Sequence, residues 1–407
     1  MPRYLIHSHD TYGLGHFRRC ALIANGLTAA DDDNEVLIVT GSPRAQSFRL
    51  GDRIDTVTLP PVTKDEAGSY HPRKLSGTTS QLVSLRAGLV AAAVEGFGPD
   101  VILVDHSPLG MGGELTDLID GMAEAHGRPR LVLGLRDIVD EAAKVSADWH
   151  RDGVWERLEA FDQVLVYGDR NITTTACELG LERRLSTPVI HTGYVAPTMP
   201  EAHTDEPFIL VTPGGGGDGQ GLLRSVLEAI GDGATRGLRT VVVTGPLLSS
   251  RRRAELMAKA DRLPSVELIE FTDSMRSLIA SAAGVISMAG YNTVTEELAA
   301  RVPALLVPRS FPRLEQTIRA QRLDPASDLQ HTPLDQLDSA TIARFVDSCA
   351  TESVVRHSID LGGVATAAGA LTALARTGLA HADSARCEIT RPAGTDHPTN
   401  RRIPSNV

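Results

Sequence analysis

Short apolar strand patterns alternate with helical patterns along the chain, and this alternation occurs in two series. The first series begins with a strand at Arg3 to Ser8, a glycine-containing loop and a helix from His16 to Thr28. The second begins with a strand at Phe208 to Thr212, the glycine run Gly214 to Gly217 and another helix. Strands that alternate with helices are typical of parallel sheets covered by helices. The sequence therefore predicts an α/β protein made of two Rossmann-like domains that face one another, with a ligand site in the cleft between them.

A polar, proline-rich stretch, APTMPEAHTDEP, separates the two series. We therefore predict an N-terminal domain at 1–195, a linker at 196–207 and a C-terminal domain at 208–380. The remaining residues, 381–407, show no periodicity and few large apolar side chains, so we expect a disordered tail.

Length and charge exclude several classes of protein. A chain of 407 residues is too long for one ordinary core, which agrees with two domains. The formal net charge of −11 disfavours a nucleic-acid partner, because the phosphate backbone would be repelled. We find neither a signal peptide nor an apolar run near the roughly 18 residues that a membrane span needs. We therefore expect a cytoplasmic protein, while peripheral contact with a membrane and the oligomeric state stay open.

The stretch Ser287 to Arg309 reads as a strand, a glycine turn at Gly290, a helix and a second strand. The free N–H groups of the first helical turn would form an anion site suited to a diphosphate. Glu296, in the same turn, could accept hydrogen bonds from ribose hydroxyls. Alternatively, Thr293 and Glu296 form a capping box, in which they only satisfy the helix N–H groups.

Glycine-bearing loops precede helices at three strand ends, which together favours contacts with phosphates or sugars. In the first loop, Gly13 and Gly15 come just before His16. A helix N-terminus disfavours the imidazolium ion, so we expect a neutral His16 that can accept a proton near pH 7. His16 is therefore a candidate general base, and the alternative is a histidine that caps a helix or lines a core.

The HSHD cluster contains His7, His9 and Asp10, and an HxH pair at a strand end can bind zinc. A metal hydrolase would need further ligands, for which Asp105 and His106 are candidates at the end of another strand. We prefer a metal-free site in which His9 and Asp10 line the cleft. Asp105 and His106 would then orient the base or contact an acceptor.

The stretch SMAGYNTVTEELAARVPALLVP resembles the C-terminal donor motif of the family 28 glycosyltransferases, which have the GT-B fold. This family includes the transferase that adds N-acetylglucosamine to lipid-linked peptidoglycan precursor. By this resemblance Glu296 would bind ribose, Gly290 and Thr293 the nucleotide diphosphate, and Gln316 the sugar. The VTPGGGGDGQG segment is similar to the family's glycine-rich donor loop, which would add Gly214, Gly215 and Gly216 to the donor site.

The N-terminal GLGH is similar to the family loop whose histidine, His16 in this chain, faces the acceptor. The longer segment GLGHFRRC also resembles the UDP-sugar hydrolase of pseudaminic acid synthesis. Two departures leave the donor sugar open: the family's paired glutamines appear as Glu315 and Gln316, and its following asparagine as Arg319.

The resemblance implies a metal-independent, inverting glycosyltransferase of the hexosyltransferase type. The N-terminal domain would bind the acceptor, and the C-terminal domain would bind a nucleoside-diphosphate sugar, expected to be UDP-linked, as substrate without a cofactor. Two alternatives remain on the sequence alone. One is a nucleotide-sugar hydrolase with the same fold, and the other is a nucleotide-sugar-binding protein without catalysis.

Overall fold

The computed structural model describes residues 1–10, 15–64, 70–125, 127–173, 175–203, 206–327, 329–350 and 358–389. It contains two parallel β-sheets, one in each half of the chain, together with a small antiparallel pair of strands. The α/β architecture with two Rossmann-like domains is therefore confirmed.

The N-terminal sheet has seven parallel strands in the order β3-β2-β1-β6-β7-β8-β9, and β4 and β5 form the antiparallel pair. These strands are β1 (Arg3–Ser8), β2 (Glu35–Thr40), β3 (Ile54–Thr58), β4 (Val62–Lys64), β5 (Tyr70–Pro72), β6 (Val101–Asp105), β7 (Arg130–Arg136), β8 (Gln163–Tyr167) and β9 (Val189–His191). The helices of this half are α1 (Gly15–Ala30), α2 (Thr79–Phe97), α3 (Thr116–Glu124), α4 (Ala142–Arg151), α5 (Thr175–Leu179) and α6 (Leu181–Arg184).

The C-terminal sheet has six parallel strands in the order β12-β11-β10-β13-β14-β15. Its strands are β10 (Phe208–Thr212), β11 (Arg239–Val243), β12 (Val266–Ile269), β13 (Gly284–Ser287), β14 (Ala304–Leu306) and β15 (Gln330–His331). The remaining helices are α7 (Gln220–Gly231), α8 (Ser250–Ala260), α9 (Met275–Ser281), α10 (Tyr291–Ala300), α11 (Glu315–Leu323), α12 (Ser339–Cys349) and α13 (Gly363–Ile389). Short 3₁₀ turns lie at Ala45–Ser47, Met111–Gly113, Trp155–Ala160, Asp324–Ala326 and Leu334–Gln336.

Each sheet reverses its strand order once, between β1 and β6 in the first and between β10 and β13 in the second. The central strands are buried along their whole length, as expected for sheets covered on both faces. Loops at the carboxyl ends of strands diverge at such a reversal and leave a crevice for a ligand. The reversals therefore place the predicted glycine loop at Gly214 to Gly217 and the predicted histidines at the two most favourable positions for binding.

The last helix, α13, packs on the N-terminal domain although it follows the C-terminal domain in sequence. Its residues Ala367, Leu371 and Ala375 are buried in the same cluster as the core of α1. Gly26 of α1 makes this contact close, because a Cβ there would lie 2.6 Å from Val364 Cγ1. The predicted C-terminal domain of 208–380 was therefore wrong for this helix, since periodicity reveals an apolar stripe but not its partner.

The predicted tail begins at 381, whereas α13 continues to Ile389. Residues 390–407 lie outside the described residues, so a disordered tail stays a prediction there. The linker at 196–207 contains neither helix nor strand in its described part. None of the helices in the described ranges combines the length and apolar character that a bilayer-spanning segment needs.

A fully buried ion pair joins the two domains. Arg319 on α11 donates from Nε and Nη2 to the two oxygens of Asp137, both at 2.7 Å. The relative exposures of the two side chains are 1% and 0%. Arg319 Nη1 also donates to the Ala289 carbonyl at 2.8 Å, so the pair reaches the loop that leads into α10.

We predict that Asp137→Asn destabilises the protein by about 3–5 kcal/mol, because it leaves the buried Arg319 guanidinium without a counter-charge. Urea unfolding monitored by circular dichroism measures the loss. Glu178→Gln is the matched control, since it removes a partly exposed pair with Arg322 and should cost at most about 1 kcal/mol. Equal losses in the two variants would contradict a stabilising role for the buried pair.

Candidate active site

The N-terminal half of the site forms where β1 and β6 end side by side. His16 lies in the first turn of α1, and its Nδ1 donates to Asp105 Oδ2 at 2.7 Å. Asp105 is the last residue of β6 and is fully buried. The structure thus brings together His16 and Asp105, which are 89 positions apart in the chain.

Arg19 fixes the Asp105 carboxylate from the other side. Its Nη2 lies 2.7 Å from both oxygens, and its Nε donates to Oδ1 at 3.1 Å. Burial alone would raise the pKa of Asp105, but the Arg19 charge and the His16 hydrogen bond lower it well below its usual range. Asp105 therefore stays ionised and orients the His16 ring.

The His16 ring is arranged as a base. Burial lowers the pKa of His16 below its usual 6.5, and the hydrogen bond to Asp105 opposes this only in part. With its proton on Nδ1, the ring carries its lone pair on Nε2, which has no hydrogen-bond partner within the described residues. The side chain is 21% exposed, so this nitrogen is accessible from the cleft.

Two further histidine rings surround His16. The ring centroids of His9 and His106 lie 5.5 Å and 5.0 Å from that of His16. Burial lowers the pKa of both well below the usual value. Neighbouring histidine rings lower both pKa values further, and Arg136 also lowers that of His106. The cluster is therefore neutral near pH 7, and His9 and His106 lie beside His16.

The other members of the HSHD cluster have different partners. His7 Nε2 lies 3.0 Å from Glu114 Oε1, in a buried cluster with Arg86. Asp10 is buried and accepts from Ser8 Oγ at 2.5 Å and from Thr40 Oγ1 at 3.1 Å, so its hydrogen bonds connect β1 and β2. Asp10 therefore supports the sheet instead of lining the cleft, and Gly13 lies outside the described residues.

The metal alternative depends on a set of ligands around the HSHD cluster. Within the described ranges, no group of three or more His, Cys, Asp or Glu residues is arranged to hold a metal ion.

The C-terminal half of the site is built on the N-terminus of α10. Gly290 is the N-cap residue and no side chain caps the helix, so the predicted Thr293–Glu296 capping box is wrong. Thr293 is the third residue inside the helix, where its side chain cannot act as an N-cap. No described atom lies within 4 Å of the position that a Cβ on Gly290 would take, which leaves space at the helix N-terminus.

The glycine-rich loop after β10 lies next to this helix. Gly214 and Gly216 have φ angles of 73° and 88°. A Cβ on Gly216 would lie 2.2 Å from the Thr244 carbonyl oxygen, so the loop needs glycine there for packing as well as for conformation. A Cβ on Gly214 would lie 3.6 Å from Thr293 Oγ1, which places the glycine loop and the α10 turn in one site.

The two halves touch across the cleft. Arg18 Nη2 contacts Glu296 Oε1, and Asn292 Nδ2 donates to the Gly15 carbonyl at 2.9 Å. Glu296 is only 3% exposed, and no other hydrogen bond to its carboxylate occurs within the described residues. Glu296, the residue predicted to bind the ribose, thus lies directly opposite α1, the helix that carries His16.

Gln316 lies at the start of α11, next to the segment that connects β14 to this helix. Its Oε1 accepts from the Arg309 backbone N–H at 3.2 Å, and its amide nitrogen makes no hydrogen bond in the described part of the chain. Glu315 binds Arg309 Nη2 at 2.5 Å, and Arg309 Nη1 reaches Asp218 at 2.7 Å. Arg319, the other departure from the family pattern, is committed to Asp137 and so has a structural role.

Several site residues were missed or undervalued from the sequence. Arg18 and Arg19 look like ordinary solvated arginines of a surface helix, although Arg19 is fully buried. The spacing of His16 and Arg19 is a usable signal, because residues three apart share one face of a helix. No local signal identifies Tyr291, whose hydroxyl accepts from the Val195 N–H at 2.9 Å across the domain boundary.

Comparison with known proteins agrees with this geometry. Residues 208–336 match the glycosyltransferase family 28 C-terminal domain. The chain is a glycosyltransferase whose C-terminal part carries the family 28 domain, and its fold is that of the GT-B glycosyltransferases. The family match covers part of the C-terminal half, whereas the solved structures are similar to nearly the whole chain. No curated protein matches the sequence.

Three solved structures illustrate the fold. MurG from Acinetobacter baumannii has a TM-score of 0.54 at 15% identity, with 93% of this chain and 100% of MurG covered. UGT71G1 from Medicago truncatula, complexed with UDP-glucose, has a TM-score of 0.59 at 12% identity, with coverages of 92% and 98%. The calicheamicin glycosyltransferase CalG4 has a TM-score of 0.51 at 18% identity, with coverages of 97% and 100%.

Glu297, the residue after Glu296 on α10, is a buried carboxyl group whose titration can be tested. Glu297 is fully buried, and the structure shows no hydrogen bond to either of its carboxylate oxygens within the described ranges. Burial raises its pKa to about 8, and the nearby Ser287, whose hydroxyl donates to the Met288 carbonyl, offsets this only in part. Between about pH 4.5 and pH 8, Glu297 is therefore protonated in the folded protein but ionised in the unfolded chain.

Stability should consequently fall as pH rises from about 4.5 to about 8, because folding requires proton uptake in this range. We predict that Glu297→Gln flattens this dependence and raises the melting temperature at pH 8 by roughly 5 °C or more. Thermal unfolding across pH 5–8 measures the effect. Glu95→Gln, at an exposed position of α2, is the control, and an identical pH profile in both variants would refute a buried neutral Glu297.

Proposed function

We propose that the glycosyltransferase moves a sugar from a nucleoside-diphosphate sugar, with UDP as the nucleotide, to a hydroxyl group of an acceptor. The observation that carries this proposal is the contact between the two halves of the site. Glu296 of the donor helix and Arg18 of the base-bearing helix meet, within one helical turn of His16. A donor bound at α10 would therefore have its reacting end close to the base.

In the proposed reaction His16 Nε2 takes the proton of the acceptor hydroxyl. The acceptor oxygen attacks the anomeric carbon, and the bond from that carbon to the β-phosphate oxygen breaks. A single displacement of this kind inverts the configuration of the sugar. The diphosphate leaves towards the Gly290 N-terminus and the loop at Gly214, Gly215 and Gly216, where N–H groups and the helix dipole stabilise its charge.

Each remaining residue has a defined role in this proposal. Asp105 holds the His16 tautomer, as in other His–Asp pairs, and stabilises the imidazolium ion that forms. Glu296 accepts from the ribose hydroxyls, and the ribose would share this carboxylate with Arg18 or displace Arg18 from it. Thr293 contributes to the diphosphate site, and the free amide of Gln316 faces the sugar.

The solved structures of UGT71G1 with UDP-glucose and of a Siraitia grosvenorii transferase with UDP support the choice of uridine. The reaction as proposed uses neither a metal ion nor a cofactor, and takes place in the cytoplasm. Water in the place of the acceptor would make the protein a hydrolase. Sugar release from the donor at an unchanged rate with and without acceptor would favour that alternative.

We predict that His16→Ala lowers kcat about 10²–10⁴-fold, the usual contribution of a general base, and leaves UDP binding intact. In the wild type, kcat/KM should fall on the acid side of pH 6.5, because burial lowers the pKa of His16 and protonation removes the base. Product formation from UDP-sugars across pH 5–8 and UDP thermal shifts are the measurements. Unchanged turnover in the variant would eliminate His16 as the base.

We predict that Glu296→Ala weakens UDP binding about tenfold or more, because hydrogen bonds to a charged group are lost. Calorimetric titration with UDP and with 2′-deoxy-UDP tests the role of the ribose directly. The wild type should prefer UDP, and Glu296→Ala should bind both nucleotides equally. Glu255→Ala, at a partly exposed position of α8, is the control and should retain the wild-type preference.

A further inference from the structure

Arg136 lies at the carboxyl edge of the N-terminal sheet, next to the neutral histidine cluster. It is the last residue of β7, and its Nη2 donates to His106 Nε2 at 3.2 Å. The His106 ring is in turn 5.0 Å from the His16 ring, centroid to centroid. Arg136 is therefore one side chain removed from the proposed base.

Arg136 lacks the carboxylate partner that the other arginines named around the cleft have in the described residues. Those arginines have carboxylate partners, in the pairs Arg18–Glu296, Arg19–Asp105, Arg309–Glu315 and Arg319–Asp137. Arg136 forms no ion pair within the described residues, and its buried Nε has no hydrogen-bond partner there. Burial lowers its pKa to about 10, which still leaves the guanidinium charged near pH 7. A largely buried guanidinium that no carboxylate contacts directly is costly, so this position favours the binding of an anion.

His106 adds a second unused donor. Since its Nε2 accepts from Arg136, the proton of the neutral ring is on Nδ1, which is buried and has no partner in the described part of the chain. His106 is 6% exposed and has a φ angle of 68°, a conformation uncommon for residues other than glycine. Residues held in such conformations cluster at functional sites. Arg136 and His106 thus provide a cation and an N–H donor beside His16.

The surrounding charges indicate which substrate carries the anion. Glu315 approaches Arg136 from the C-terminal domain, and its buried Oε2 has no partner among the described atoms. This carboxylate would repel an anionic sugar on the donor side. On the acceptor side, the described contact of Arg136 is with the neutral ring of His106, so an anion can approach there without repulsion.

We propose that the acceptor is an acid, and that Arg136 binds its carboxylate or phosphate group while His16 takes the proton from its hydroxyl. This inference rests on the proposed function in one respect, the role of His16. Binding of the anion itself requires no turnover. Arg136 acts here as a specificity-determining residue, and the acceptors it selects are hydroxylated carboxylic acids or phosphate esters.

The test uses the full-length protein saturated with UDP and three probes: inorganic phosphate, 4-hydroxybenzoate and the neutral 4-hydroxybenzyl alcohol. Dissociation constants are measured for the wild type, Arg136→Gln and Arg136→Lys by calorimetric titration. Arg130→Gln, at the other end of the same strand and partly exposed, is the matched control.

We expect an anionic probe to bind the wild type and Arg130→Gln, and to bind Arg136→Gln about tenfold more weakly or worse. Arg136→Lys should retain part of the affinity, because it keeps the charge, and the neutral alcohol should not distinguish the variants. Equal affinity for the anions in all variants, or no anion binding by the wild type, would overturn the proposal.

A second arm compares UDP-glucuronic acid with UDP-glucose. If Arg136→Gln selectively weakened the binding of UDP-glucuronic acid, the anion would belong to the donor sugar and the acceptor assignment would be wrong. Failure of the proposed function is recognised separately, because it would appear as the absence of a UDP response in the wild type. The anion titration can then still be made without UDP.

Discussion

The fully buried ion pair between Asp137 and Arg319 is a central contact in the arrangement of the two domains. Both side chains are removed from solvent, so neither can leave the other without a large cost. Arg319 also binds the Ala289 carbonyl, and its guanidinium lies 5.8 Å from the centre of the Tyr291 ring. Arg19 lies 5.2 Å from the same ring on the N-terminal side. Tyr291 is therefore held between two arginines, each paired with an aspartate, and α10 begins at that point.

This arrangement connects the fold with the proposed chemistry. The interaction that positions the N-terminus of α10 also limits the distance between the domains, and α1 carries both Arg19 and His16. Asp105 accepts from both of these side chains, so one carboxylate balances a structural cation and orients the base. Around the cleft the histidines are neutral and the other named arginines have carboxylate partners, whereas no described carboxylate contacts Arg136. A charge without a direct partner in such a place is more consistent with substrate recognition than with stability.

Much of the fold could be predicted from the sequence, because strand periodicity and burial depend on local patterns. The strands at Arg3–Ser8 and Phe208–Thr212 have the bounds that the patterns predicted. The capping box failed because Thr293 has the right spacing to Glu296 but lies inside the helix. The location of α13 failed for another reason: its buried face packs against α1, where Gly26 allows a close approach, and no local pattern shows which surface a helix will cover.

The sequence by itself determined two α/β domains, the glycine loops at their strand ends and His16 at a helix N-terminus. These features follow from residue type and spacing along a short stretch of chain. Only the tertiary structure decided the charge partners: Asp105 with His16 and Arg19, Asp137 with Arg319, Glu296 with Arg18, and no carboxylate for Arg136 in the described residues. The physical reason is that a charge is neutralised by whatever lies within a few ångströms in space. In this protein those partners are separated by up to 278 positions in sequence.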